Sequence, residues 1–298
     1  MTEPKIVIIG AGPTGLGAGY RLQELGHEDW VLLEANDYVG GLATSFTDEA
    51  GFTYDIGGHV MFSHYDYYDN LVDKLMGGEY TELEREAWVW MEDRFIPYPF
   101  QNNIRALEPR TVYECVQGLV EAQRSNRTFS NFAEWVDATF GAGIAKHFMI
   151  PYNFKVWAHP AEMMNKEWIG ERVAVLDYNR AIKNVVMGTD DFGWGPNNTF
   201  KFPLFGGTGE FYRRFGPKLE GHVNLNKTVD FINIAKTEVR FKDGEIVKYD
   251  TLSSAMPLDK LCNDVINGEM PREIKKAAAG LKHSGGYMVG IGIKQPCP

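Results

Sequence analysis

An apolar run, Ile6-Val-Ile-Ile9, opens the ordered pattern of the chain, turns through Gly10-Ala-Gly12-Pro-Thr-Gly15, and continues with helical spacing to Leu25 before Gly26. A second apolar run, Trp30 to Leu33, follows, so Lys5 to Leu33 reads as a βαβ-like unit. Phe52 to Ile56 predicts a short strand, and Ala87 to Met91 with Arg94 to Tyr98 predict a hairpin around Glu92-Asp93. From Phe100 to about Phe200 the spacing turns helical: Thr111 to Ala122, Asn131 to Phe140 with Ser130 as N-cap, Ile144 to Met149 stopped by Pro151, and Asp177 to Val186. Glu210 to Leu219 predicts an amphipathic helix. Short strands return at Val223 to Leu225, Thr228 to Ala235, Thr237 to Phe241 and Glu245 to Tyr249, with Lys242-Asp243-Gly244 as a hairpin turn. Thr251 to Pro257 reads as one more buried strand ended by proline, and Tyr287 to Lys294 as a last strand.

This order predicts an α/β protein whose Rossmann-like dinucleotide-binding domain is discontinuous, 1–85 and 206–268. Residues 86–205 form a hairpin plus mainly helical insertion, and 269–298 begin a further helix and strand segment. A ligand is expected in the cleft between domain and insertion.

Composition narrows the chemistry. The 298 residues are 44% hydrophobic and 13% aromatic, enough for well-packed cores. A formal charge of −10 argues against a nucleic-acid partner. Cys115, Cys262 and Cys297 lie far apart with no C-x-x-C, so neither a disulfide framework nor a zinc site is suggested, and a reducing, cytoplasmic setting fits. No apolar run approaches the ~20 residues that span a bilayer, so no membrane partner is expected.

The glycine turn points to a dinucleotide. Gly10 permits the tight turn, Gly12 lets the backbone approach a pyrophosphate, Gly15 lets helix and strand close up, and Glu34 ends the second strand where a ribose hydroxyl sits. Gly40-Gly41-Leu42-Ala43 and Gly57-Gly58-His59 add backbone that can pass under a large flat ring, which favours FAD over NAD. Gly206-Gly-Thr-Gly209 reads equally as a second such surface or as a plain loop before a helix. His59 is open to a structural or a catalytic role. No His, Cys and carboxylate cluster has metal-ligand spacing. Pro97-Tyr98-Pro-Phe100-Gln101-Asn-Asn103 and Pro151-Tyr-Asn153-Phe-Lys-Val-Trp157 suit either a base-stacking pocket or core packing. Arg172 suits a diphosphate or a surface ion pair.

These blocks, with Gly170-Glu-Arg-Val173 and Trp194-Gly-Pro-Asn197, follow the order and spacing of the eukaryotic-type UDP-galactopyranose mutases, which the sequence resembles along nearly all its length. The resemblance implies an FAD enzyme interconverting UDP-galactopyranose and UDP-galactofuranose. It works with reduced flavin N5 as nucleophile at the anomeric carbon, without net redox. It further implies that Gly10, Gly12, Gly15, Glu34, Gly41, Leu42, Gly58 and Val229 contact FAD and that His59 lies on a loop beside the flavin ring. Tyr98, Phe100, Gln101, Phe148, Asn153 and Trp157 would form a uridine pocket, and Arg172 and Asn197 would act near the diphosphate and sugar. An external reductant such as NAD(P)H and a homo-oligomer are compatible with it. Family members continue past the position of Pro298 with further arginines for the diphosphate, so the chain is expected to be truncated. The alternatives are an FAD-dependent oxidase or desaturase of the amine-oxidase type and a non-catalytic FAD- or nucleotide-binding remnant.

Overall fold

A computed structural model describes residues 5–125, 127–169, 173, 177–193, 198–266 and 270–293. It divides into two units, Met1–Leu83 with Lys201–Pro298, and Glu84–Phe200.

The first unit begins with β1 (Ile6–Ile9), α1 (Pro13–Glu24) and β2 (Trp30–Leu33). The apolar runs are continuous because the sheet is covered on both sides: Ile8 and Leu32 join one buried cluster, Val7, Ile9 and Leu33 another. α1 lies so close to β2 that a side chain at Gly19 would meet the Trp30 ring at 2.8 Å. β3 (Ser45–Thr47) pairs antiparallel with β4 (Thr53–Asp55), a shorter strand than the one expected from Phe52 to Ile56. α2 (Asp66–Met76) buries Leu71, Val72, Leu75 and Met76 and ends at left-handed Gly77. The chain leaves the unit in β5 (Tyr80–Glu84).

The second unit opens on the hairpin β6 (Trp88–Met91) and β7 (Arg94–Pro97). Glu92 and Asp93 both have positive φ, 53° and 55°, the mirror-image turn whose twist matches paired strands. α3 (Pro109–Gln123) and α4 (Phe132–Ile144) cross on glycines: a Cβ at Gly141 would stand 2.1 Å from the Gly118 carbonyl carbon, and one at Gly143 would stand 2.2 Å from the Glu114 oxygen. Asn131, not Ser130, caps α4, its Oδ1 accepting from Glu134 N–H at 2.9 Å. Ser130 stands one position earlier and donates to the Glu134 carboxylate instead. Nor does Pro151 stop a helix. A wide π turn over Ala145–Met149 runs straight into α5 (Ile150–Trp157), whose first turn tolerates the proline because its missing N–H has no intrahelical partner there. α6 (Tyr178–Met187) is capped by Asp177.

The chain returns through β8 (Thr199–Pro203), which pairs with β5. α7 (Gly209–Arg213) is shorter than the Glu210 to Leu219 helix expected, since Gly216-Pro217 breaks it into a 3-10 turn. Phe211, Phe215 and Leu219 nevertheless keep their helical spacing and stay buried. β9 (Val223–Asn224) joins the parallel sheet, and β10 (Val229–Asn233), β11 (Glu238–Phe241) and β12 (Ile246–Lys248) form a three-stranded antiparallel sheet. β13 (Thr251–Ser254) completes the parallel sheet in the order β13-β1-β2-β9. It is an edge strand, half exposed rather than buried, and it ends before Pro257. A helix absent from the expected order follows, α8 (Leu258–Lys260) with a π turn to Val265, and then α9 (Arg272–Gly280), inside the segment 269–298 that was expected to hold a helix. Residues 287–293 form no strand: Tyr287, Val289 and Ile291 are exposed, and an apolar alternation without a paired neighbour cannot build a ladder.

Candidate functional site

In the first unit a cavity of about 910 Å³ opens at the carboxyl ends of β1 and β2, lined among others by Gly10, Gly12, Glu34, Gly41, Leu42 and Val229. Gly10 takes φ 99°, a value that a side chain resists. Gly15 lies beneath rather than in the wall, and its missing Cβ matters more: an added one would stand 1.8 Å from the Gly10 oxygen. No side chain caps α1 at Gly12, so its first-turn N–H groups are left for an anion. Lys227, Lys242 and Lys260 add positive charge to the wall. Hydrogen bonds from Lys227 to Glu245 and Asp243 hold that ammonium's pKa above the ordinary lysine value.

Glu34 does more than its spacing suggested. Its Oε2 accepts from the Ala11 N–H at 2.7 Å, and its Oε1 accepts from the Asn36 N–H and Nδ2 at 2.9 and 2.8 Å. A carboxylate offers about four lone-pair positions, so one remains for a hydroxyl after the protein has used three. The residue therefore ties down the glycine turn from within the cavity wall.

Gly58 and His59 follow β4, away from the lining of this cavity. His59 is half-buried, and its Nδ1 is enclosed without a hydrogen-bond partner. Its backbone oxygen lies 3.2 Å from the Thr208 hydroxyl, which also donates to Asp55 at 2.8 Å. Asp55 further accepts from the Ser45 hydroxyl at 2.5 Å and the Thr208 N–H at 3.2 Å. The Gly206-Gly-Thr-Gly209 loop is thus pressed against β3 and β4: a Cβ at Gly207 would meet Asp55 Oδ1 at 2.4 Å, and one at Gly209 would meet the Ser45 nitrogen at 2.3 Å. Close packing accounts for these two glycines. Asp55, Ser45 and Thr208 escaped the sequence reading because single polar residues around a glycine loop carry no spacing signal.

In the second unit a smaller cavity of about 130 Å³ is lined by Tyr98, Gln101, Asn153 and Trp157 together with Tyr152 and Trp168. Asn153 donates to the Met149 oxygen at 2.7 Å and accepts from the Trp157 indole at 3.3 Å, so one buried amide aims the ring. Trp157 keeps an exposed face and meets Trp168 edge-on at 5.2 Å. Burial pushes the Tyr98 hydroxyl up to about 12, keeping it a neutral donor. Phe100 and Phe148 stand behind the wall. They stack at 4.2 Å, with Tyr152 on the far face of Phe148 at 4.9 Å, and Phe100 is fully buried. Asn103 is also spent internally, bonding the backbone of Pro99 and Asp191. Arg172 and Asn197, with the rest of Gly170-Glu-Arg and Trp194-Gly-Pro-Asn197, lie outside the described residues.

No helix among the described residues is long and apolar enough to cross a membrane. Cys115 and Cys262 are free and buried, and burial pushes the Cys115 thiol up to about 12.

Residues 8–75 match the NAD(P)-binding Rossmann-like domain family. Over 70 residues the chain is 41% identical to a 15-cis-phytoene desaturase of Glycine max, covering 24% of this chain and 12% of that one. Polyamine oxidase 7 of Oryza sativa subsp. japonica is 53% identical over 39 residues, 13% of this chain and 8% of the oxidase. Among solved structures, reduced UDP-galactopyranose mutase superposes with a TM-score of 0.87 at 45% identity, covering 93% of this chain and 61% of that one. Putrescine oxidase superposes at 0.64 with 18% identity over 93% of this chain and 63% of that one, a likeness of fold alone. The chain is mutase-like, its nucleotide domain is a flavin-binding Rossmann-like one, and it spans 61% of the solved mutase's length. FAD is the cofactor that fits the cavity: an uncapped helix start for a pyrophosphate and a spare lone pair on Glu34 for a ribose hydroxyl.

Proposed function

We propose that the protein interconverts UDP-galactopyranose and UDP-galactofuranose while holding reduced FAD. The observation that carries this reading is the 45% identity to the solved mutase across 93% of the chain, an extent that the shared glycine turn alone cannot supply. Reduced FAD supplies the nucleophile for the anomeric carbon, so turnover needs no net redox. In this reading the chain holds and orients. The start of α1 takes the pyrophosphate of FAD, and Glu34 takes a ribose hydroxyl. Trp157 and Tyr98 take the uracil of the substrate between aromatic faces, with Asn153 fixing the indole. Arg172 and Asn197 meet the diphosphate and the sugar, where positive charge and hydrogen bonds ease departure of UDP. An external donor such as NAD(P)H keeps the flavin reduced.

The test is to reduce the FAD-loaded protein with dithionite, add UDP-galactofuranose and separate the nucleotide sugars. Appearance of UDP-galactopyranose supports the reading, and its absence from protein that holds reduced FAD refutes it. The likeness to phytoene desaturases favours a second reading, an oxidase or desaturase, but over 70 residues only. Oxygen consumption on addition of a polyamine would favour that alternative.

A further inference from the structure

Met149, Tyr152, Asn153, Val156 and Trp157, which line the second-unit cavity, lie in or just after one irregular feature, the π turn over Ala145–Met149. A π turn carries one residue more than the α-helical path. Relaxing it would rotate all of α5 by about 100°, one residue's step around a helix, and carry Asn153 and Trp157 off the cavity. Three features oppose that relaxation. Pro151 offers no N–H to the His147 oxygen four positions earlier, so an α-helical path makes no bond there. Phe148 is held between Phe100 at 4.2 Å and Tyr152 at 4.9 Å. The third is the His147 ring, which reaches out of the turn to another helix, its Nε2 lying 2.7 Å from Glu114 Oε2 on α3.

Glu114 is a fixed point for that bond. α3 and α4 cross so closely beside it that a Cβ at Gly143 would stand 2.2 Å from the Glu114 backbone oxygen. Lys146 donates to the same Oε2 at 2.9 Å, and Arg110 Nε lies 3.4 Å from Oε1. The hydrogen bonds from Lys146 and His147 hold the Glu114 carboxyl well below the ordinary carboxylate value. An ionised carboxylate only accepts, so His147 Nε2 is the donor. The Lys146 side chain is 67% exposed and that of His147 19%, which makes the shielded bond from His147 the firmer tether. We propose that His147 and Glu114 are positioning residues for nucleotide binding: their bond ties the π turn to α3 and so fixes the rotation of α5 that aims Asn153 and Trp157 into the cavity. This rests on the reading above, in which that cavity takes the uracil of the substrate.

Three substitutions grade the tether. His147→Phe keeps a ring and removes the donor. His147→Gln places an amide N–H close to where Nε2 stands, so it restores the bond to Glu114 without the ring. Glu114→Gln keeps its oxygen at Oε2, where two donors point, and loses the charge, so it weakens the bond without breaking it.

The experiment measures UDP affinity by titration calorimetry, FAD affinity by flavin fluorescence and amide hydrogen exchange of residues 152–157 in wild type and the three variants. His147→Phe is expected to weaken UDP about tenfold and to speed exchange by a similar factor, with FAD affinity unchanged. His147→Gln is expected to recover most of the UDP affinity, and Glu114→Gln to fall between His147→Phe and wild type. Should His147→Phe fail to fold, Glu114→Gln and His147→Gln against wild type carry the same comparison. Unchanged UDP affinity in the folded variants, a loss in His147→Phe that His147→Gln does not recover, or an equal loss of FAD affinity overturns the proposal. If wild type binds no UDP while exchange still speeds in His147→Phe and recovers in His147→Gln, the nucleotide reading fails and the tether of α5 to α3 stands.

Discussion

Glu34→Gln offers the sharpest test of how the nucleotide cavity is built. Oε1 accepts two hydrogen bonds from Asn36 and Oε2 accepts one from Ala11, so the glutamine oxygen must stay with Asn36. Its NH₂ then stands where Oε2 stood, against the Ala11 N–H, donor facing donor. The site is buried, Glu34 being 7% exposed, so water cannot replace the lost acceptor. Losing a hydrogen bond to a charged group costs about 1.5–3 kcal/mol. The unfolding free energy is expected to fall by about that much. Ala11 sits inside the glycine turn, so FAD should bind at least tenfold more weakly, a factor equal to about 1.4 kcal/mol. Urea denaturation gives the first quantity, and quenching of flavin fluorescence on titration gives the second. Glu34→Asp keeps the charge but retracts it by one methylene, separating electrostatics from reach. A Glu34→Gln protein within about 0.5 kcal/mol of wild type, with an overlapping FAD titration, would refute the account.

Three further outcomes follow from the geometry. Gly141→Ala, which forces a Cβ to 2.1 Å from the Gly118 carbonyl carbon at φ 75°, should destabilise by about 3 kcal/mol, read from the second transition or the overall midpoint in urea. Asn153→Leu removes the bonds to Met149 and Trp157, so UDP should bind about tenfold more weakly by tryptophan quenching while FAD titration is unchanged. Hydrogen bonds from Lys146 and then His147 hold the Glu114 carboxyl at about 2, below its unfolded value of 4.5. Its contribution is therefore complete above pH 4.5 and lost as pH falls toward 2, and Glu114→Gln should flatten the urea midpoint across that window.

How much was legible depended on whether a feature repeats along the chain or is made by folding. Ile6–Ile9 and Trp30–Leu33 announced themselves because a strand covered on both faces must be apolar at every position. The turn at Glu92-Asp93 was legible from the strands on either side, although neither residue is a glycine. Pro151 misled because a proline is a stop only where its nitrogen would have donated, and the preceding π turn places it in a first turn. Tyr287 to Ile293 misled for the opposite reason: alternation marks a strand only where a neighbour completes the ladder. In the site, Tyr98, Gln101, Asn153 and Trp157 come to one cavity. Phe100 and Phe148, drawn from the same aromatic blocks, support it from the core, a distinction of depth that spacing cannot express.

Three residues of these sites share one property that spacing does not express, that they satisfy backbone groups of a distant loop. Glu34 holds Ala11 across 23 positions, Thr208 reaches His59 across 149, and Asn103 holds Asp191 across 88. A buried backbone group left without a partner costs as much as a misplaced side chain, so each glycine turn or aromatic loop that shapes a cavity needs such a tether. The tethers at Glu34 and Thr208 lie wholly in the first unit, and that at Asn103, like the local bonds of Asn153 to Met149 and Trp157, lies wholly in the second. Substitutions should therefore fail separately: Glu34→Gln in flavin binding and Asn153→Leu in nucleotide binding. A single variant that damaged both properties equally would mean that these bonds maintain general stability rather than shape particular sites.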